Sequence, residues 1–200
     1  MQINKRLVVV PLFLLLSACS VFPPLKTQSE SVYVINSVPR PPVRHSDRHY
    51  NILVMPVYAG LTYDTTQMAY TMHPYQINYF VLNFWAETPA QMLRPLIVQT
   101  LQRTHYFHAV SGFSYLGSYD YILDTQLLQL TQDFSGFGSS VHLRIQAQII
   151  NAESNEVVAS KEFYAVERAP EPTPYGGVVA TNRAVARILK SLAAFCEQMI

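Results

Sequence analysis

The stretch Val141-His-Leu-Arg-Ile-Gln-Ala-Gln-Ile-Ile150 alternates apolar and polar side chains. Val141, Leu143, Ile145, Ala147 and Ile149 fall on one face and His142, Arg144, Gln146 and Gln148 on the other, which predicts a strand with one side in a core and one in water. β-type runs flank it, Asp120–Phe134 before the glycine-containing Ser135–Ser140 and Val157–Val166 after Asn151–Glu156. Three strands joined by two turns predict an antiparallel meander. Its apolar face requires a cover, and two segments have the periodicity to supply one. Gly177–Met199 places Val178, Val185, Ile188, Leu189, Leu192, Cys196 and Met199 on one side of a helix. Thr88-Pro89-Ala90-Gln91 is a helix start: the hydroxyl caps, proline suits the first helical position, and glutamine completes a capping box. That helix is expected to run to about Thr104, with Met92, Leu93, Leu96, Ile97 and Leu101 as its apolar stripe; Pro95 within it demands a kink or a later start. The expected fold class is therefore α/β of the α+β kind, a mostly antiparallel sheet with two main helices packed on one face.

Ahead of this lie two shorter strand signals, Ser31–Asn36, broken by Pro39–Pro42, and Tyr50–Val57, interrupted by Pro56 and so expected at an edge or near a strand end. Residues 19–31, with Pro23-Pro24 and no periodicity, form an expected tether, and residues 32–200 a single domain. The N-terminus carries a different signal. Lys5 and Arg6 precede twelve residues, Leu7–Ala18, that are apolar but for Ser17. As a helix this run would be about 18 Å long against a hydrocarbon core of about 30 Å, too short to span. Charged start, apolar middle and small residues at the end mark an export signal over residues 1–18.

Leu16-Ser17-Ala18-Cys19 resembles the bacterial lipobox, in which the cysteine thiol is joined to a diacylglyceryl group and becomes the first residue of the mature chain. The alternative is an ordinary signal peptide with an incidental cysteine. The cysteine count favours lipid: Cys196 is the only other cysteine, and a thioether-linked Cys19 cannot pair with it. Cys196, in an apolar helical stripe, is expected to be a buried small hydrophobe. With several acyl chains the anchor is durable. In lipoproteins of Gram-negative bacteria the residue after the cysteine commonly directs sorting. Ser20, in place of an aspartate, points to the periplasmic face of the outer membrane.

Charge excludes some functions. Only 14% of residues are charged and the net charge of +1 falls to about −1 once Lys5 and Arg6 are removed, so neither disorder nor nucleic-acid binding is expected. Thirteen tyrosines and ten phenylalanines, many between Tyr58 and Trp85, suit interfaces. No catalytic or phosphate-binding motif is present, and no enzymatic activity or cofactor other than the lipid on Cys19 is expected. His105 and His108 could in principle hold a metal, but they straddle an expected helix end, where cationic rings suit the macrodipole. Asp120 and Asp124 share a strand face, which solubility explains. Gly136-Phe-Gly138 joins two strands as a hairpin turn, and His142 and Arg144 lie on the wet face.

Several stretches together resemble the auxiliary lipoproteins of ABC-type and mammalian-cell-entry (MCE) lipid transport systems in Gram-negative bacteria. Tyr33-Val-Ile-Asn36 is similar to that family's opening strand. Tyr63–Leu93 is similar to its most recognisable segment, with Asn83-Phe-Trp-Ala-Glu87 and Pro89 carrying most weight. Asp120–Leu123 resembles the start of its central strand, and Tyr175–Ala184 the opening of its final helix. His105 departs from the small residue expected at the end of the first helix. The resemblance implies a non-enzymatic auxiliary docking component in the periplasm whose partner is the MCE-type subunit, with self-association left open. Tyr63, Tyr70, Tyr75, Tyr79, Phe84 and Trp85 are the candidate docking surface; against this, aromatics in alternating strands are commonly core, and Trp85 could be a packing anchor beside the helix cap. Two other functions compete. A general envelope-assembly or lipid-chaperone lipoprotein requires its own apolar cavity, and an envelope enzyme requires a convergent polar cluster in a cleft.

Overall fold

The computed structural model describes residues 29–40, 50–113 and 117–200; the export signal, Cys19 and most of the tether lie outside them. In chain order the elements are β1 (Ser31–Tyr33), β2 (Asn51–Val54), β3 (Tyr58–Ala59), β4 (Gln67–Thr71), β5 (Asn78–Trp85), α1 (Pro89–Thr104), β6 (Ala109–Ser111), β7 (Tyr121–Asp133), β8 (Ser140–Asn151), β9 (Val157–Arg168) and α2 (Pro174–Met199).

The expected meander is present as β7–β8–β9, two long antiparallel ladders with Leu143 opposite Leu130 and Ala165. Val141, Leu143, Ile145, Ala147 and Ile149 are all buried, and α2 covers them. The other edge of β7 is shared by three short strands placed one after another along it. β2 pairs with Tyr121–Leu123, β3 with Gln126 and Leu127, and β4 with Gln132 and Asp133, all of them parallel. β6 lies outside β2, and β5 and then β1 lie outside β4. The molecule is α+β, with a mixed sheet whose long ladders are antiparallel and whose parallel pairings are short.

Both helices lie on the core face and touch each other. Thr88 and Gln91 form the full capping box expected of them. The helix starts at Pro89 and continues through Pro95, so a later start is excluded, and the Gln91 carbonyl has no proline N–H to accept. His105 closes α1 in the left-handed region, at φ 55° and ψ 20°, doing the work expected of a glycine. α2 begins at Pro174, capped by Thr173, three residues ahead of the expected Gly177.

Two strand expectations are corrected in extent. β1 ends at Tyr33 because α2 then satisfies its backbone: Asn182 Oδ1 accepts from the N–H groups of Asn36 (2.9 Å) and Ser37 (3.1 Å), and Asn182 Nδ2 donates to the Val34 carbonyl (3.2 Å). β2 ends at Val54, just before Pro56, which cannot donate to a ladder.

Candidate functional site

Tyr58–Trp85 folds into β3, β4, β5 and their connections, and the candidate aromatics in it separate by role. Trp85 is 4% exposed and packs in the core. This corrects its assignment to a docking surface: it ends β5 beside the cap of α1, where the indole is enclosed. Tyr63 and Tyr79 hold down the connection between β3 and β4. The Tyr63 hydroxyl is 3.1 Å from Thr131 Oγ1 and the Tyr79 hydroxyl donates to the Thr62 carbonyl at 3.1 Å. Tyr70 stacks on Phe80 with centroids 4.5 Å apart, and Phe134 meets both rings edge-on. Phe84 is half-buried opposite Gln67. Tyr75 is different: it stands fully exposed in the β4–β5 turn, with φ 65°.

Beside that turn is the β7–β8 hairpin, brought close by the Phe134 N–H, which donates to the Thr71 carbonyl at 2.9 Å. Phe137 at its tip is 98% exposed, and Met72 in the neighbouring turn 52%. Sequence reasoning did not select Met72 or Phe137. An apolar residue between two turn glycines was the available signal, since a turn has no need of one. One end of the sheet thus carries three large exposed apolar side chains on two neighbouring turns.

On the face away from the helices, His142 Nδ1 lies 2.7 Å from the Tyr164 hydroxyl, while Nε2 lies 3.3 Å from Ser140 Oγ and 3.7 Å from Asp133 Oδ2. A hydrolytic triad needs the serine and the carboxylate on opposite nitrogens of the imidazole. Here both approach the same one, on an open sheet surface. Partial burial pushes the Asp133 carboxyl up, but the hydroxyl and N–H of Ser135, and the His142 ring, outweigh it and hold the pKa below the usual range. Arg144 pairs with Glu162 at 2.8 Å and lies over the Tyr164 ring. These contacts join β8 to its neighbours and describe a solvated, cross-linked sheet face. The two histidines do not straddle the end of α1 as expected: His105 is its cap and His108 follows, just before β6, and among the described residues no group of three metal-ligating side chains converges.

The described core residues of the sheet and both helices pack into one cluster. The void bounded by Met68, Trp85, Leu130, Val141 and Gly177 measures about 10 Å³, near the lower limit for one water molecule. A shallow groove of about 360 Å³ lies outside α1, lined by Arg94, Pro95, Val98 and Phe113. Arg94 is fixed there by the carbonyls of Val54 and Gly112.

The family model for the ABC-type transport auxiliary lipoprotein component matches residues 33–193, from β1 to within the last turns of α2. The chain belongs to this family. Among proteins of curated function, none matches the sequence significantly. Solved structures share the fold of this auxiliary lipoprotein. Protein XCC0632 from Xanthomonas campestris superposes with a TM-score of 0.78 at 16% identity, covering 84% of this chain and 95% of that one. Hypothetical protein CT253 from Chlamydia trachomatis gives a TM-score of 0.52 at 8% identity, covering 76% of this chain and 98% of that one. Among the described residues of the auxiliary lipoprotein no helix is long and apolar enough to cross a membrane.

Proposed function

We propose that this auxiliary lipoprotein is held on the periplasmic face of the outer membrane by lipid on Cys19, and that it serves as the docking component for the MCE-type subunit of an intermembrane lipid transport system. The observation that carries this reading is the transport-auxiliary family match over residues 33–193; the expected export signal, lipobox and short tether ahead of it support the same order of anchor, tether and domain. Cargo released into water loses its hydrophobic stabilisation, so a conduit between two membranes must stay docked at its far end. An anchored domain supplies that dock, and confinement to a surface raises the effective concentration of a weak contact. A lipid chaperone would need an internal apolar cavity; among the described residues, side chains from the sheet and both helices pack into one core cluster, which favours the docking reading.

Crosslinking the intact lipoprotein in native membranes, followed by purification and mass spectrometry, tests the reading. Recovery of an MCE-type subunit, lost in Cys19→Ala, is the expected result. Reproducible recovery of envelope-assembly machinery alone would overturn it. Metabolic labelling with a palmitate analogue, absent from Cys19→Ala, tests the anchor separately.

A further inference from the structure

Strand direction says from which side the tether reaches the domain. β1 runs parallel to β5 with Ser31 opposite Asn83, so the start of β1 faces the Asn78 end of β5 and the β4–β5 turn. That distance along β5 is five residues, about 17 Å. The eleven residues 20–30 between Cys19 and Ser31 reach at most about 40 Å when fully extended. β1 therefore begins on the side of the sheet that carries Met72, Tyr75 and Phe137, and the length of chain between Cys19 and Ser31 is enough to span from there past that end to a bilayer lying against it.

The side chains there suit a bilayer surface. Tyr75 and Phe137 are almost wholly exposed at the tips of adjacent turns, and Tyr70, Phe80 and Phe134 brace those turns from behind. Exposed apolar side chains at turn tips cost solubility unless something receives them, and tyrosine settles at the headgroup level because its ring is apolar and its hydroxyl polar. The opposite end of the sheet is more polar. Its β8–β9 turn, Ala152–Glu156, carries Glu153, Ser154, Asn155 and Glu156, all exposed, and no exposed aromatic; its exposed apolar side chains are the smaller Val157 and Val158 at the start of β9.

We propose that the end of the sheet bearing Met72, Tyr75 and Phe137 rests in the headgroup layer of the same membrane that holds Cys19. This orients the domain with the β8–β9 turn about 40 Å away, facing the periplasm, given twelve residues of rise along β7. The proposal rests on the lipid-anchoring reading and adds an orientation to it.

The test uses the full mature lipoprotein in vesicles of phosphatidylethanolamine and phosphatidylglycerol. A single environment-sensitive fluorophore is attached through maleimide at Tyr75→Cys, at Phe137→Cys or at Glu153→Cys. Cys196 is fully buried and does not compete for the label. With brominated lipids, probes at positions 75 and 137 are expected to lose roughly half of their emission, as at an interfacial depth of 5–10 Å, while the probe at 153 is unchanged. Co-sedimentation with the vesicles reports the anchor independently. Probes at 75 and 137 that escape quenching on co-sedimenting protein overturn the proposal and leave the anchor standing. A blue shift without bromine quenching also overturns it, because protein rather than lipid then covers the turns. Failure to co-sediment overturns the anchor and the proposal together.

Discussion

Gly177, near the start of α2, lies against the side chain of Gln132 on β7. A Cβ at this position would overlap the carboxamide of Gln132, and one at Gly176 would overlap the Glu171 carbonyl. Gln132 is buried and donates to Ser139 Oγ at 2.9 Å and to the Thr173 carbonyl at 3.0 Å, tying the β7–β8 hairpin to the start of α2. Gly177→Ala is therefore expected to destabilise the domain by about 1–3 kcal/mol, read as a lower urea midpoint with unchanged slope. Cys196 gives a second prediction at this scale. Burial, with Glu197 beside it, pushes its thiol up to about 12 from an ordinary 9.0. In the unfolded chain the thiol ionises at its ordinary value while the folded chain keeps its proton, so this residue's contribution to stability falls as pH rises from about 9 to about 12. Below that window the native thiol is expected to resist maleimide at pH 8 and to react at once in denaturant; rapid native labelling would contradict the burial.

Among the elements, α1 was legible in detail because its signals are local. The Thr88–Gln91 box needs four consecutive residues, and both reciprocal bonds form: the Gln91 N–H donates to Thr88 Oγ1 at 3.4 Å, and the Thr88 N–H to Gln91 Oε1 at 3.1 Å. Thr88→Ala is expected to cost about 1 kcal/mol, within the usual range for a cap, and Thr88→Ser to restore most of it; chemical denaturation of the pair checks both. β8 was equally legible because period-two alternation marks a strand buried on one side. β3 and β6 were not, since two or three residues carry no period. β5 is eight residues long but has no clean alternation of burial, and the β4–β5 register shifts between Gln67 and Ala69. A bulge moves side chains from one face to the other, and the sequence pattern loses its phase there.

At the scale of the molecule, one core joins β2, β4, β7, β8, β9 and both helices. The described domain is accordingly expected to unfold in a single transition, with the fluorescence of Trp85, the sole tryptophan and 4% exposed, coincident with far-ultraviolet circular dichroism. Separated midpoints would show that the β1–β5 side and the meander fold as independent units. By itself the sequence determined the meander, the two covering helices, the α1 cap and the family, because alternation, helical periodicity and capping are written in residues near one another in the chain. Only the tertiary structure decided that β2, β3 and β4 share one edge of β7, that Trp85 is enclosed while Tyr75 is exposed, and that Phe137 stands beside the β4–β5 turn. Those facts depend on pairings between residues about sixty to seventy positions apart. Such contacts are set by which strand edges and apolar faces fit together once collapsed, and local pattern carries no record of that choice.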